Sequence, residues 1–208
     1  MKVINNFILE KLKLSSNSGS KPKRTEKQYF PETCAELKEL VNKLIKERGS
    51  DADLNDIDTS NITSLSNLFE NNTDIRNIKI DEWDVSNVQS LYKTFFGCEN
   101  FNADISNWNV SNVGDMFGTF YGCKNFKSEL DTWNVSNVTT MKSMFYNCEN
   151  FNSDISDWDI SKVRDMCYML YNCKSFSIPL DKWDAGYRKT TQMFKGCKKS
   201  IIPKWYKK

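Results

Sequence analysis

The chain has 208 residues, 29 Lys and Arg against 27 Asp and Glu, a net charge of only +2 and no histidine. Without an imidazole, Cys–His and Ser–His–Asp catalysis and most catalytic zinc sites are excluded. No run of about 18 apolar residues occurs, so a transmembrane segment is not expected.

Residues 1–14 place Ile4, Phe7, Ile8 and Leu12 on one helical side, with Lys2, Glu10, Lys11 and Lys13 elsewhere, which reads as an amphipathic leader peptide used for docking, with a frayed terminus as the alternative. They contain no uninterrupted apolar run, no small-residue cleavage site and no lipidated Cys, so export by a signal peptide is not expected and a cytoplasmic location is. Their few basic charges bind bilayers weakly. Residues 15–28 are rich in Ser and Lys and lack an apolar anchor, which reads as a flexible linker. Residues 31–49 predict the one long helix: Cys34, Leu37, Leu40, Val41, Leu44 and Ile45 share a face, acid opens the first turn, and Arg48 and Gly49 close the last. Residues 29–52 are thus an N-terminal cap laid across the open edge of residues 53–208.

Residues 53–208 are periodic. Trp83, Trp108, Trp133, Trp158 and Trp183 recur every twenty-five residues. A fixed period in this range means units too small to bury their own apolar face, which are stable only when stacked. Val113, Met116, Phe120 and Cys123 follow a 3, 4, 3 spacing that predicts a short helix, repeated at Val88, Leu91, Phe95 and Cys98 and in the two later copies. Ser86, Ser111, Ser136 and Ser161 read as its N-caps, and Gln89 completes a capping box. Residues 101–105, 126–130, 151–155 and 176–180 read as the short strand, stacked in a parallel ladder. The expected fold class is therefore α/β: a leucine-rich-repeat-like solenoid of about five 25-residue strand-turn-helix repeats behind an N-terminal capping helix. Residues 57–69 and 185–197 are degenerate copies, as end repeats should be.

Several rows run along this stack. Phe96, Tyr121, Tyr146 and Tyr171 sit one position after the core Phe or Leu and form the first candidate for a binding surface; plain stacking of one rung on the next is the alternative. Glu99, Lys124, Glu149 and Lys174 alternate in sign, which helps specify register. The five Trp read as core or corner packing, because a sugar site is needed once and a structural role in every rung. Asp104, Glu129 and Asp154 before the Trp, and Asp84, Asp159 and Asp184 after it, read as Asx turns and not calcium ligands, since Asn109 and Asn134 interrupt the second row. Cys98, Cys123, Cys148 and Cys173, with Cys197, occupy a small apolar position. The cysteine total is odd and no CxxC pair occurs, so free thiols in a reducing compartment are expected, with no zinc or other metal and no cofactor. Net charge is +5 over residues 1–50, −11 over 51–185 and +8 over 186–208. Nucleic acid is therefore not expected on the acidic repeat body. Residues 195–208 read as solvated capping residues, with an acidic partner or nucleic acid as the alternative.

The strings Trp83-Asp-Val-Ser-Asn-Val88 and Trp133-Asn-Val-Ser-Asn-Val138, continued by Met144, Phe145, Cys148 and Phe151, resemble the repeat of BspA-like leucine-rich-repeat surface proteins. That resemblance implies adhesion or protein interaction at a surface. The function expected is a non-catalytic binding or adhesion module, not an enzyme, that recognises a protein or glycan. The leader and linker resemble those of gut bacteriophage proteins. This implies the second reading, a structural or carried component of a larger assembly such as a phage particle, docked through its N-terminal leader and virion-associated or reaching a surface by a non-standard route.

Overall fold

The computed structural model describes residues 24–184, 186 and 188–207. The leader, residues 1–14, lies outside the described residues, as does the linker up to residue 23. The described end of that linker is tied down. Lys27 Nζ donates to the carbonyls of Asn55 at 2.7 Å and Ile57 at 3.1 Å, and the Gln28 amide donates to Asp56 O at 2.7 Å.

The first element, α1, spans Cys34–Arg48. It starts where the Thr33 hydroxyl accepts the Glu36 amide at 3.2 Å, a helix N-cap. It stops at Gly49, whose φ of 88° no β-carbon-bearing residue adopts cheaply and whose N–H returns to Ile45 O. Leu37, Val41, Leu44 and Ile45 fall on one face and are buried in the common core. Arg48 forks the Asp56 carboxylate at 2.9 and 2.8 Å, which fastens the end of the cap to the coil beneath it.

The repeats are not built from strands and helices. Among the described residues the only other helical element is a three-residue 3-10 turn at Lys199–Ile201, and pairing within the repeats is confined to isolated parallel bridges. The expected α/β solenoid of strand-turn-helix units is overturned. The bridges Ser90↔Asp115, Asp115↔Thr140 and Thr140↔Asp165 fall inside the very segments whose 3, 4, 3 spacing predicted helices.

The reason lies in where alternate amides point. Leu91, Lys93, Phe95 and Gly97 donate their N–H groups to the next rung, at the carbonyls of Asp115, Phe117, Thr119 and Tyr121, over 2.7–2.9 Å. The intervening amides of Thr94, Phe96 and Cys98 turn back to the carbonyls of Leu91, Lys93 and Phe95. Met116, Gly118, Phe120 and Gly122 repeat this against Thr140, Lys142, Met144 and Tyr146. Such a path needs a left-handed residue at every fourth position: φ is 51° at Lys93 and 74° at Gly97, 58° at Gly118 and 75° at Gly122, 55° at Ser143 and 58° at Asn147. Left-handed residues stop an α-helix from propagating, yet consecutive four-residue turns space their apolar side chains much as a helix does.

The remaining expectations fail for related reasons. The serines read as helix caps close Asx turns: Asp84, Asn109, Asn134 and Asp159 accept the amides of Ser86, Ser111, Ser136 and Ser161 at 2.9–3.2 Å. Across residues 101–105 and their equivalents, side chains link the rungs. Ser128 Oγ accepts the Ile105 amide at 3.2 Å, Ser153 Oγ the Leu130 amide at 2.7 Å, and Asn102 Oδ1 the Lys127 amide at 2.8 Å. These side-chain acceptors stand where a sheet would use carbonyls, so no strand forms there.

Between the two sides lies a continuous core. Phe95, Phe120 and Phe145 stack with centroids 5.6 Å apart, and Phe101, Phe126, Phe151 and Phe176 form a second column at 5.7–6.1 Å. Each ring is fully buried and contributes about 1.5–3 kcal/mol. The left-handed positions give the sharpest check on this fold. Gly122→Val, which forces a β-branched residue to φ 75°, should lower stability by about 1–3 kcal/mol, while Asn147→Gly should be neutral or stabilising. Denaturant midpoints measure both, and a harmless Gly122→Val with a harmful Asn147→Gly is the result that a helical repeat gives.

Candidate functional site

The turns that send Phe95 and Phe120 inward leave the following residue facing out. Phe96, Tyr121, Tyr146 and Tyr171 are half-buried and lie face to face, with centroids 4.3, 4.5 and 4.5 Å apart and planes within 10°. The two inner rings thus have both faces covered by neighbours. The end rings carry cations: Lys93 Nζ lies 4.7 Å from the Phe96 centroid and Lys195 Nζ 5.4 Å from that of Tyr171. A shorter row runs beside it, Tyr92 on Phe117 at 5.2 Å. What the face offers is ring edges, phenol hydroxyls and ammonium groups. Burial against its neighbours, then the flanking Tyr121 and Tyr171, push the Tyr146 phenol up from its ordinary value. On the flank, Lys124 pairs with Glu99 at 3.0 Å and Lys174 with Glu149 at 2.9 Å; both pairs are exposed and worth at most about 1 kcal/mol each.

The tryptophans are not available to a ligand. Trp83, Trp108, Trp133, Trp158 and Trp183 are 3–5% exposed. The indole N–H groups of the first four donate to the carbonyls of Leu54, Ile80, Ile105 and Leu130, one rung back, at 2.9–3.1 Å. Trp183 Nε1 is buried and has no hydrogen-bond partner among the described residues. Trp205, out of step with the period, donates to Leu180 O at 2.9 Å and so extends the row into the closing segment.

The cysteines are more than small apolar fillers. The thiols of Cys98, Cys123, Cys148, Cys173 and Cys197 donate to the carbonyls of Phe69, Phe95, Phe120, Phe145 and Leu170 at 2.9–3.0 Å. Thr94 and Thr119 do the same with their hydroxyls toward Leu65 and Leu91, both at 3.0 Å. All seven cysteines are free thiols. Burial pushes Cys98 up to about 12 and Cys197 to about 11, with Cys123, Cys148 and Cys173 well above their ordinary value. A thiol held protonated is a poor nucleophile and a poor metal ligand.

The acidic residues are likewise occupied. Asp84, Asp104, Asp154, Asp159 and Asp184 accept the amide two residues on, at 2.9–3.0 Å. Hydrogen bonds from Ser86, Ser156 and Ser161 hold Asp84, Asp154 and Asp159 below the usual carboxylate range. Among the described residues no group of three His, Cys, Asp or Glu could hold a metal ion, and no helix is long and apolar enough to cross a membrane.

The thiols make stability depend on pH. In the unfolded chain they ionise near pH 8.5, whereas folded they keep their protons to higher pH. Unfolding therefore releases protons above about pH 8.5, and the stability present below that value is lost as pH rises toward the folded values. The denaturant midpoint should fall between about pH 8 and about pH 10.5, and Cys148→Ser, which keeps a donor and does not titrate, should flatten the fall. An unchanged slope in the serine variant would remove the thiol from the explanation.

A family described as Mycoplasma protein of unknown function, DUF285, matches residues 36–133 and 105–205. No curated protein matches the chain. Among solved structures, a leucine-rich repeat protein from Eubacterium ventriosum is 17% identical, with 71% of this chain and 44% of that one covered and a TM-score of 0.37. The chain spans less than half the length of that protein, and a likeness this distant carries no argument about fold or role. The two family matches overlap and together run from within α1 through the repeats to the closing Trp205. The chain is a repeat protein that belongs to the DUF285 family.

Proposed function

We propose that this protein is a non-catalytic binding module that recognises an extended protein partner through Phe96, Tyr121, Tyr146 and Tyr171. The observation that carries this reading is the face-to-face stacking of the row at 4.3–4.5 Å. A sugar ring recognised by an aromatic platform needs a free ring face, and the inner rings offer none. Edges, hydroxyls and lysines suit a polypeptide, which can lay apolar side chains between ring edges and accept hydrogen bonds from phenols. A protein in place of a glycan is therefore favoured on this face.

Chemistry finds no support beside it. The chain has no imidazole, the thiols of Cys98, Cys123, Cys148 and Cys173 are held protonated, and five aspartates of the repeats are engaged in turns. The likeness of the Trp-Asp-Val-Ser-Asn-Val string to BspA-like surface proteins supports adhesion as the setting.

The test uses the intact chain as bait in an extract of the cells that make it, beside Tyr121→Ala/Tyr146→Ala and a Glu149→Ala/Lys174→Ala control. At about 1–2 kcal/mol per anchoring tyrosine, the double tyrosine variant should retain at least about tenfold less partner while its thermal unfolding shows an intact fold. The control should retain it. Equal capture by parent and tyrosine variant would move the binding face elsewhere and leave the row as packing.

A further inference from the structure

The end of the stack differs chemically from every internal junction. At the last junction Met166, Tyr168, Leu170 and Asn172 donate their amides to the carbonyls of Lys189, Thr191, Met193 and Lys195. The equivalent donors of the last rung among the described residues are the amides of Thr190, Gln192, Phe194 and Gly196. The Phe194 amide is met by the Tyr206 hydroxyl. Those of Thr190, Gln192 and Gly196 have no acceptor among the described residues. They border a cavity of about 780 Å³ rimmed by Lys189, Lys195, Lys199 and Lys207 and floored by Phe194 and Ile202.

We propose that this end binds an extended acidic peptide. The amides of Thr190, Gln192 and Gly196 give backbone carbonyls of an incoming chain donors to meet, the main-chain part of the way an open edge takes up a peptide. Residues 186–208 carry eight Lys and Arg and no acidic residue, so carboxylate side chains are the complement of the rim. Side chains of an extended peptide alternate, so one apolar residue between two acidic ones meets the Phe194 and Ile202 floor. A second copy of this chain does not fit as occupant. Its opposite end is covered by α1, where Cys34 Sγ donates to Ser66 O at 3.7 Å and Lys38 Nζ to Asn67 O at 2.6 Å. This site shares Lys195 with the end of the tyrosine row but does not depend on that row's role.

The probe is a fluorescent, N-acetylated peptide of alternating Asp and Leu, about eight residues long, added to the full chain. A Lys and Leu peptide of equal length and a single-stranded oligonucleotide of equal negative charge serve as comparisons. The acidic peptide should bind, weaken by about tenfold or more in Lys199→Glu/Lys207→Glu, and weaken with salt. It should also slow amide exchange at Thr190 and Gln192, which a charge-only contact leaves unchanged. Both substitutions lie in the closing segment, outside the rung-to-rung ladder, so the fold should survive them. Failure of the acidic peptide to bind, full binding by the charge-reversed variant, or an oligonucleotide that binds as tightly with unaltered exchange at Thr190 and Gln192 would each overturn the proposal.

Discussion

Everything in the repeats depends on one hydrogen-bond alternation: along residues 91–97 and their equivalents, every second amide crosses to the next rung while its neighbours fold back on their own turn. The crossing amides join rungs, and the folded-back ones set the left-handed kinks that keep each rung short. A buried carbonyl has two lone pairs, and one in this arrangement is used by the turn. The other is met from the next rung by a side chain. Leu91 O accepts the Thr94 amide and the Thr119 hydroxyl, Phe95 O the Cys98 amide and the Cys123 thiol, Ile105 O the Trp108 amide and the Trp133 indole. The threonine, cysteine and tryptophan of the motif thus answer one requirement, a donor of the right length at a buried carbonyl one rung back.

The same alternation distributes the surfaces. Residues that face inward build the phenylalanine columns, while those next to them form the outward aromatic row whose ring faces are spent on each other. Ends arise because the ladder has direction. Its carbonyl end lies under α1, where Lys38 reaches Asn67 O, and its amide end opens into the basic cavity beside Tyr206. An acidic body between two positively charged ends is dictated by the sequence, and the fold assigns the more basic end to the open side.

Much of this was legible in the chain, but the expected helices, strands and helix-capping serines of the repeats were not what forms. The period, the cap with Leu37, Val41, Leu44 and Ile45, the Asx turns and the outward position of Tyr121, Tyr146 and Tyr171 all come from spacing and residue type. Helices did not form, because a 3, 4, 3 apolar spacing is common to helices and to consecutive four-residue turns. The signal that separates them is the residue just before each cysteine: Gly97, Gly122, Asn147, Asn172 and Gly196, the two residue types that enter the left-handed region most readily. A helix would not place one of them there in five successive copies. The donor role of cysteine was hidden by its apolar reputation, and Trp205 by its being out of period.

The cross-rung alternation can be observed bond by bond. Scalar coupling through hydrogen bonds, measured between amide nitrogens and carbonyl carbons in solution, should link Met116 to Thr140, Gly118 to Lys142, Phe120 to Met144 and Gly122 to Tyr146. Couplings that instead link Phe120 to Met116, the pattern of an α-helix, would contradict the account.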